Sequence, residues 1–208
     1  MQQLLLLAIL TACQLMACNH PAPKQATIST PKEAPSSPTP TEADWKDADK
    51  DYLKEGQTLL QEAIGDLNRD GILDKVLVLE NPPNTPSLNG LSAPRTLLLL
   101  QGNTTGQYRL WASSDKAVLC AECGGVLGDP FRSITIKKGS IHILQDGGSR
   151  ERWERKSSLI LSPTSEKWMV VKDQMKVVDT YDANNNSNQN LLTEEQLPLE
   201  EYNVYGEQ

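Results

Sequence analysis

Oxygen-bearing side chains recur at close spacing in residues 66–74 of the 208-residue chain, which carry its sharpest chemical signal. Calcium prefers carboxylate, amide and carbonyl oxygens, and one short loop with a glycine at its tight turn can surround the ion. Gly71 occupies the sixth position of this stretch. The predicted ligands are the side chains of Asp66, Asn68, Asp70 and Asp74 and the backbone carbonyl of Ile72. We expect the ion to stabilise the fold, because no general base accompanies it.

Other interpretations compete with a calcium loop at residues 66–74. Asp, Asn and Gly also build ordinary polar turns between strands. An EF-hand is excluded, because its bidentate glutamate at the twelfth position would fall on Leu77. The match at every expected ligand position, followed at once by the strand-like run at 75–79, favours a bound cation over a plain turn.

Residues 62–80 resemble the calcium loop of FG-GAP and VCBS-type repeats through the pattern Asp-x-Asn-x-Asp-Gly-x-x-Asp, which dockerins also contain. The resemblance implies a structural Ca²⁺ at the entry to the strand that follows. FG-GAP repeats normally recur to build a propeller, and the chain contains no second copy of the loop. A propeller is therefore not predicted.

Cys120 and Cys123 form the second suggestive group, a Cys-x-x-Cys pair. A thioredoxin-like redox site would need a helix after the pair to lower a thiol pKa, and the glycine-rich residues 124–130 disfavour a helix. A zinc site needs four ligands, and beyond the pair only His20 and His142 are suitable. The favoured interpretation is a local disulfide that staples a long loop, as is natural in an oxidising compartment.

The N-terminal residues predict a location in the cell envelope. Residues 1–18 hold an apolar core that is too short to span a bilayer and typical of a secretory signal. The residues before Cys18 resemble the lipobox of bacterial lipoproteins, and a similar site ends at Cys13. We expect lipidation at Cys18, with Cys13 as the alternative site and a plain signal peptide as the alternative interpretation. Asn19, in place of an aspartate, favours anchoring in the outer membrane, facing the periplasm.

Two further segments flank the predicted domain, which spans residues 45–180. Residues 19–44 contain six prolines among small polar residues, so we expect an extended, flexible tether. Residues 181–208 are rich in Asn and carry six acidic side chains and no basic one, which accounts for all but one unit of the net charge of −7. We expect this segment to be a solvated acidic tail. Its alternating apolar residues at 197–205 leave an edge strand as the alternative.

Short apolar or alternating runs between Pro, Gly and Asn clusters predict a mainly β domain with little helix. The predicted strands are residues 57–63, 75–80, 96–101, 108–113, 133–137, 140–144, 152–161 and 167–171. Lys138 and Gly139 predict a tight hairpin turn. About seven or eight such strands favour an antiparallel meander, either a small sandwich or a curled sheet. No basic patch suggests a nucleic-acid partner.

The remaining candidate residues predict binding rather than catalysis. Trp111, Trp153 and Trp168 fall on predicted strands, where packing is the ordinary role, although an exposed aromatic row would be typical of a glycan binder. No catalytic or phosphate-binding motif occurs. We therefore expect a non-enzymatic binding or structural module, with an unidentified envelope protein or glycan as partner. The alternative is an envelope enzyme, either a hydrolase or a thiol-disulfide exchanger that uses Cys120 and Cys123.

Overall fold

The computed structural model describes residues 46–47, 49–192 and 194–206. The predicted signal peptide (1–18), the predicted tether (19–44) and both candidate lipidation sites, Cys13 and Cys18, lie outside these residues. Within the described ranges, no helix is long and apolar enough to cross a bilayer.

The described residues form two antiparallel sheets, which confirms the predicted mainly β fold. The first sheet contains, in chain and spatial order, β1 (Thr58–Gly65), β2 (Asp74–Glu80), β3 (Thr96–Gly102) and β4 (Tyr108–Ser114). The second is a meander of β5 (Phe131–Lys137), β6 (Ser140–Gly148), β7 (Glu151–Leu161) and β8 (Trp168–Asp179). Two short strands, β9 (Ser187–Asn190) and β10 (Leu197–Pro198), both pair with β8. The helical residues described are three short 3₁₀ turns at Asp49–Tyr52, Gly125–Leu127 and Ala183–Asn185.

The two sheets pack face to face as a sandwich around one core. Alternate residues of β2 and β3 point into this core, whereas the others form a second cluster on the outer face of the first sheet. The inner residues are Val76, Val78, Leu97 and Leu99, which pack with Ile134, Ile141, Ile143, Leu159 and Val170. The outer cluster is Leu77, Leu79, Leu98 and Leu100, covered by Tyr52, Leu53 and Tyr108. Burial on both faces explains why these two strands read as continuous apolar runs.

The edges of the sandwich are closed by close packing between the sheets. At one edge β1 lies beside β5, where Ile136 packs so tightly against Gly65 that an added Cβ would lie 2.7 Å from its side chain. At another, Trp111 of β4 meets Trp168 of β8 edge to face, with ring centroids 5.1 Å apart. Both tryptophans therefore pack the fold, as predicted.

The hairpin between β5 and β6 turns at the predicted residues. Lys138 and Gly139 both have positive φ, at 52° and 78°, as this tight two-residue turn requires. An added Cβ at Gly139 would lie 3.2 Å from the carbonyl oxygen of Leu67, so the turn packs closely against the residues 66–74 loop. Arg69 donates from Nη2 to the Lys138 carbonyl at 3.2 Å.

The C-terminal segment differs from the predicted solvated tail. Leu199, Tyr202 and Val204 are buried in the main core, with exposed fractions of 1%, 0% and 6%. The acidic neighbours Glu200 and Glu201 remain exposed. The apolar side chains of the segment therefore enter the core while the neighbouring charges stay in water. The prediction of a solvated tail is therefore wrong for these residues. Of the alternative, an edge strand at 197–205, only the two-residue strand β10 is present.

Candidate functional site

The residues 66–74 loop connects β1 to β2 and is organised by its own polar side chains. Asp66 accepts hydrogen bonds from the backbone N–H groups of Arg69 at 2.6 Å and Gly71 at 2.9 Å. The N–H of Asp70 donates to the side chains of both Asp66 (3.2 Å) and Asn68 (3.1 Å). Gly71 has a φ of 83°, which explains the glycine at this position. These contacts bring Asp66, Asn68 and Asp70 together in one turn.

Asp74 forms the buried base of the loop. Its two carboxylate oxygens accept from the backbone N–H groups of Leu67 at 2.8 Å and Gly102 at 3.0 Å. Removal from water raises the pKa of Asp74, and the charges of Asp70 and Asp66 raise it further, whereas the two N–H donors act in the opposite direction. Asp74 thus connects the loop to the end of β3, and the charges of Asp70 and Asp66 act on its carboxylate.

The five predicted ligands are only partly brought together. Asp66, Asn68 and Asp70 lie in the same turn. Ile72 is half-buried and donates its N–H to Asp70 at 2.8 Å. The Asp74 carboxylate points towards backbone N–H groups. Among the residues that the structure describes, no three His, Cys, Asp or Glu side chains form a group that could hold a metal ion. The donor set still fits Ca²⁺ in kind, because carboxylate and amide oxygens are ligands that calcium prefers. The oxygens that accept a single N–H, such as Asp66 Oδ2 and both of Asp74, keep a second lone pair.

The two cysteines form the predicted local disulfide. Cys120 and Cys123 are joined by their sulfurs, with their Cα atoms 5.2 Å apart. Cys120 is fully buried, whereas Cys123 is half-buried and receives the side-chain N–H of Asn89 at 3.1 Å. The residues that follow form a three-residue 3₁₀ turn, Gly125–Leu127, in place of the helix that a thioredoxin-like site uses to activate its thiol.

A groove on the outer face of the second sheet was not predicted. It consists of two adjoining clefts of about 270 and 410 Å³ that share Glu154 of β7 and Lys176 of β8. The first cleft extends to Arg152 and to the half-buried Trp153, and the second extends to β9. The residues of the second cleft beyond the shared pair are Lys156, Gln174, Met175, Asn188, Gln189 and Asn190.

The strand register explains how the groove forms. Glu154 pairs with Lys176, Lys156 with Gln174, and Asn188 in turn with Lys176 across the next strand. The alternation in β7 was visible in the sequence, since Arg152 and Lys156 are exposed while Ser157 and Leu159 are buried. The pairing of β8 with the Asn-rich residues of β9 had no such local signal.

His142 is part of the packed sheet. It lies half-buried on β6, with Nδ1 3.0 Å from the hydroxyl oxygen of Ser158. Partial burial lowers its pKa, and the positive charges of Lys137 and Lys172 lower it further. The imidazole is therefore held neutral at physiological pH.

No protein-family model matches the chain, and no curated protein or solved structure is significantly similar to it.

Proposed function

We propose that this chain is a lipid-anchored protein of the cell envelope whose β domain is a non-enzymatic binding module stabilised by Ca²⁺. The lipid would be carried by Cys18, or alternatively Cys13, and would hold the domain at the outer membrane on the periplasmic side. The observation that carries the calcium part of the proposal is the gathering of Asp66, Asn68 and Asp70 in one turn above the buried Asp74.

The position of the loop explains why a cation there would stabilise the whole domain. Asp74 ties the loop to the end of β3 in the first sheet. Arg69 ties it to the β5–β6 turn in the second sheet. An ion that neutralises the loop carboxylates would strengthen a junction between the two sheets, so its effect should be visible in global unfolding.

A thermal melt with Ca²⁺ and then with EDTA tests the proposal. The full-length chain in detergent micelles should melt at a higher temperature with Ca²⁺, because an ion at 100 times its Kd adds about 2.7 kcal/mol to the free energy of unfolding. Asp70→Ala should abolish the calcium-dependent shift. The matched control is Asp51→Ala, which removes an exposed carboxylate from the Asp49–Tyr52 turn and should keep the full shift.

Two results would contradict a calcium site at residues 66–74. A wild-type midpoint that does not respond to Ca²⁺ would make the loop an ordinary polar turn. An equal shift in wild type and Asp70→Ala would place the ion elsewhere.

A further inference from the structure

We propose that the groove on the outer face of β7, β8 and β9 binds a strand of acidic polysaccharide. This inference rests on the proposed binding function and names the ligand class of the module.

The shape of the groove suits a chain-like ligand. The two clefts adjoin at Glu154 and Lys176 and run from Trp153 at one end to the Asn-rich strand β9 at the other. The second cleft, at about 410 Å³, is within the size range of small-ligand sites, which begins at about 300 Å³, and the first cleft, at about 270 Å³, is slightly below it. An extended strand of sugar units could cross the strands of the sheet through both.

The unpaired charges of the groove are positive, although the chain as a whole carries −7. Glu154 pairs with Lys156 at 2.6 Å, and Asp146 pairs with Arg132 at 2.6 Å, so both acidic groups of the groove are already neutralised. Within the described part of the chain, the exposed side chains of Arg152 and Lys176 form no ion pair or hydrogen bond. These two cations are free to bind carboxylates of a ligand.

The amide side chains supply the second kind of contact. Gln174 and Asn188 are exposed and line the groove on either side of Lys176. Neither side chain forms a hydrogen bond to another described residue. Each amide offers two donors and an acceptor, which matches the paired donor and acceptor character of sugar hydroxyls.

Cations interleaved with amides favour a polysaccharide over other anions. A phosphate-rich surface would be matched by cations alone, whereas a uronic acid strand offers both carboxylates and hydroxyls. The residues Asn188, Gln189 and Asn190, which the sequence places in a tail, form one wall of the site.

Calorimetric titration of the full-length chain in detergent micelles with oligogalacturonate tests the inference. Neutral malto-oligosaccharide serves as the uncharged probe, and an oligonucleotide of equal charge serves as the non-saccharide anion. We expect binding of oligogalacturonate alone. Lys176→Ala should weaken it at least about tenfold, because a hydrogen bond to a charged group is lost.

Variants separate specific recognition from simple charge attraction. Gln174→Ala combined with Asn188→Ala leaves the net charge unchanged and should still weaken binding several-fold. Lys167→Ala is the matched control, because Lys167 is exposed between β7 and β8 and does not line the groove. It should bind as wild type does.

Several outcomes would overturn the inference. These are no binding of oligogalacturonate, equal binding of the oligonucleotide, and an equal loss in Lys167→Ala and Lys176→Ala. If oligogalacturonate fails to bind while the melt still responds to Ca²⁺, the ligand class is wrong and the calcium-stabilised domain stands. If binding occurs without any calcium response, the groove stands and the metal loop does not.

Discussion

The Asp74 carboxylate acts through backbone N–H groups. Asp74 satisfies two buried donors that would otherwise have no partner, and each such donor would cost about 1–3 kcal/mol if left unsatisfied. Its burial is tolerated for this reason. A cation above it would also offset the repulsion from Asp66 and Asp70 that raises its pKa.

Asp179 is a second carboxylate that organises a loop, at the end of β8. It is 4% exposed and accepts from Nε and Nη2 of Arg150 at 3.2 and 3.0 Å. It also accepts from the backbone of Tyr181 and from the side chain of Asn185. Arg150 is the largest influence and lowers the pKa of Asp179, and the other donors lower it further.

This lowered pKa gives a pH dependence with a definite sign. The stabilisation from Asp179 is fully present above the ordinary aspartate pKa of about 3.9 and is lost as the pH falls through the lower folded value. Asp179→Asn should therefore be less stable than wild type at neutral pH and lose less stability on acidification. Urea unfolding between neutral pH and about pH 2 measures this difference.

The exposed Asp51 provides the comparison for Asp179. Asp51→Asn should follow the wild-type acid profile, because the Asp51 side chain is exposed to solvent in the Asp49–Tyr52 turn. Parallel profiles for wild type and Asp179→Asn would show that the Arg150 contact does not stabilise the folded state.

Among the elements, the C-terminal segment is short but makes many contacts with the core of the sandwich. Tyr202 places its hydroxyl 2.8 Å from the hydroxyl oxygen of Ser157, and Val204 accepts from Arg155 through its carbonyl at 3.0 Å. Arg155 in turn forms a buried pair with Asp173. The segment is also tied to the β4–β5 connection, where Val204 donates its N–H to the Lys116 carbonyl at 2.9 Å. It therefore joins both sheets.

A pair of neighbouring substitutions tests this role. Leu199→Ala should lower the free energy of unfolding by about 2–5 kcal/mol, because it opens a cavity in the core. Glu200→Ala should change it by less than about 0.5 kcal/mol, because that side chain is exposed. Denaturant melts of the two variants measure the difference. Equal effects would mean that the segment is not packed in the folded protein.

The disulfide loop is a second element whose packing bears on function. Asn89 reaches Cys123 from the β2–β3 connection, and Arg95, which is fully buried, donates to the Leu119 carbonyl and to Asp129 on the same loop. With Cys120 buried, the sulfur accessible to an attacking thiol is that of Cys123. This arrangement suits a structural staple between connections better than a redox site.

The proposed lipid anchor concerns the whole molecule, and it can be tested independently of the fold. Labelling of growing bacteria with a fatty acid probe should mark the wild-type chain and place it in the outer membrane fraction. Cys18→Ser should lose the label, because lipid transfer requires that thiol. Cys13→Ser is the matched control and should keep it.

The opposite labelling pattern would assign the lipid to Cys13. Retention of the label in both single variants would exclude a unique site, and an unlabelled wild-type chain would contradict the anchor itself.

The sequence alone determined the features that depend on neighbouring residues. Alternating and continuous apolar runs predicted the positions of eight strands, because side-chain direction in a strand has a period of two. The strands β6 and β8 run four and eight residues further than predicted. Lys138 and Gly139 predicted the hairpin turn, and the short Cys120 to Cys123 spacing predicted a local disulfide. All of these are decided by local backbone geometry.

Only the tertiary structure decided which distant residues meet. The burial of the C-terminal segment depends on residues far apart in the chain, whereas the Arg155–Asp173 pair and the groove beside β9 depend on the register between neighbouring strands. No local pattern distinguishes an acidic segment that packs from one that stays in water. That choice depends on whether the sandwich offers an open apolar surface, which exists only once the two sheets have come together.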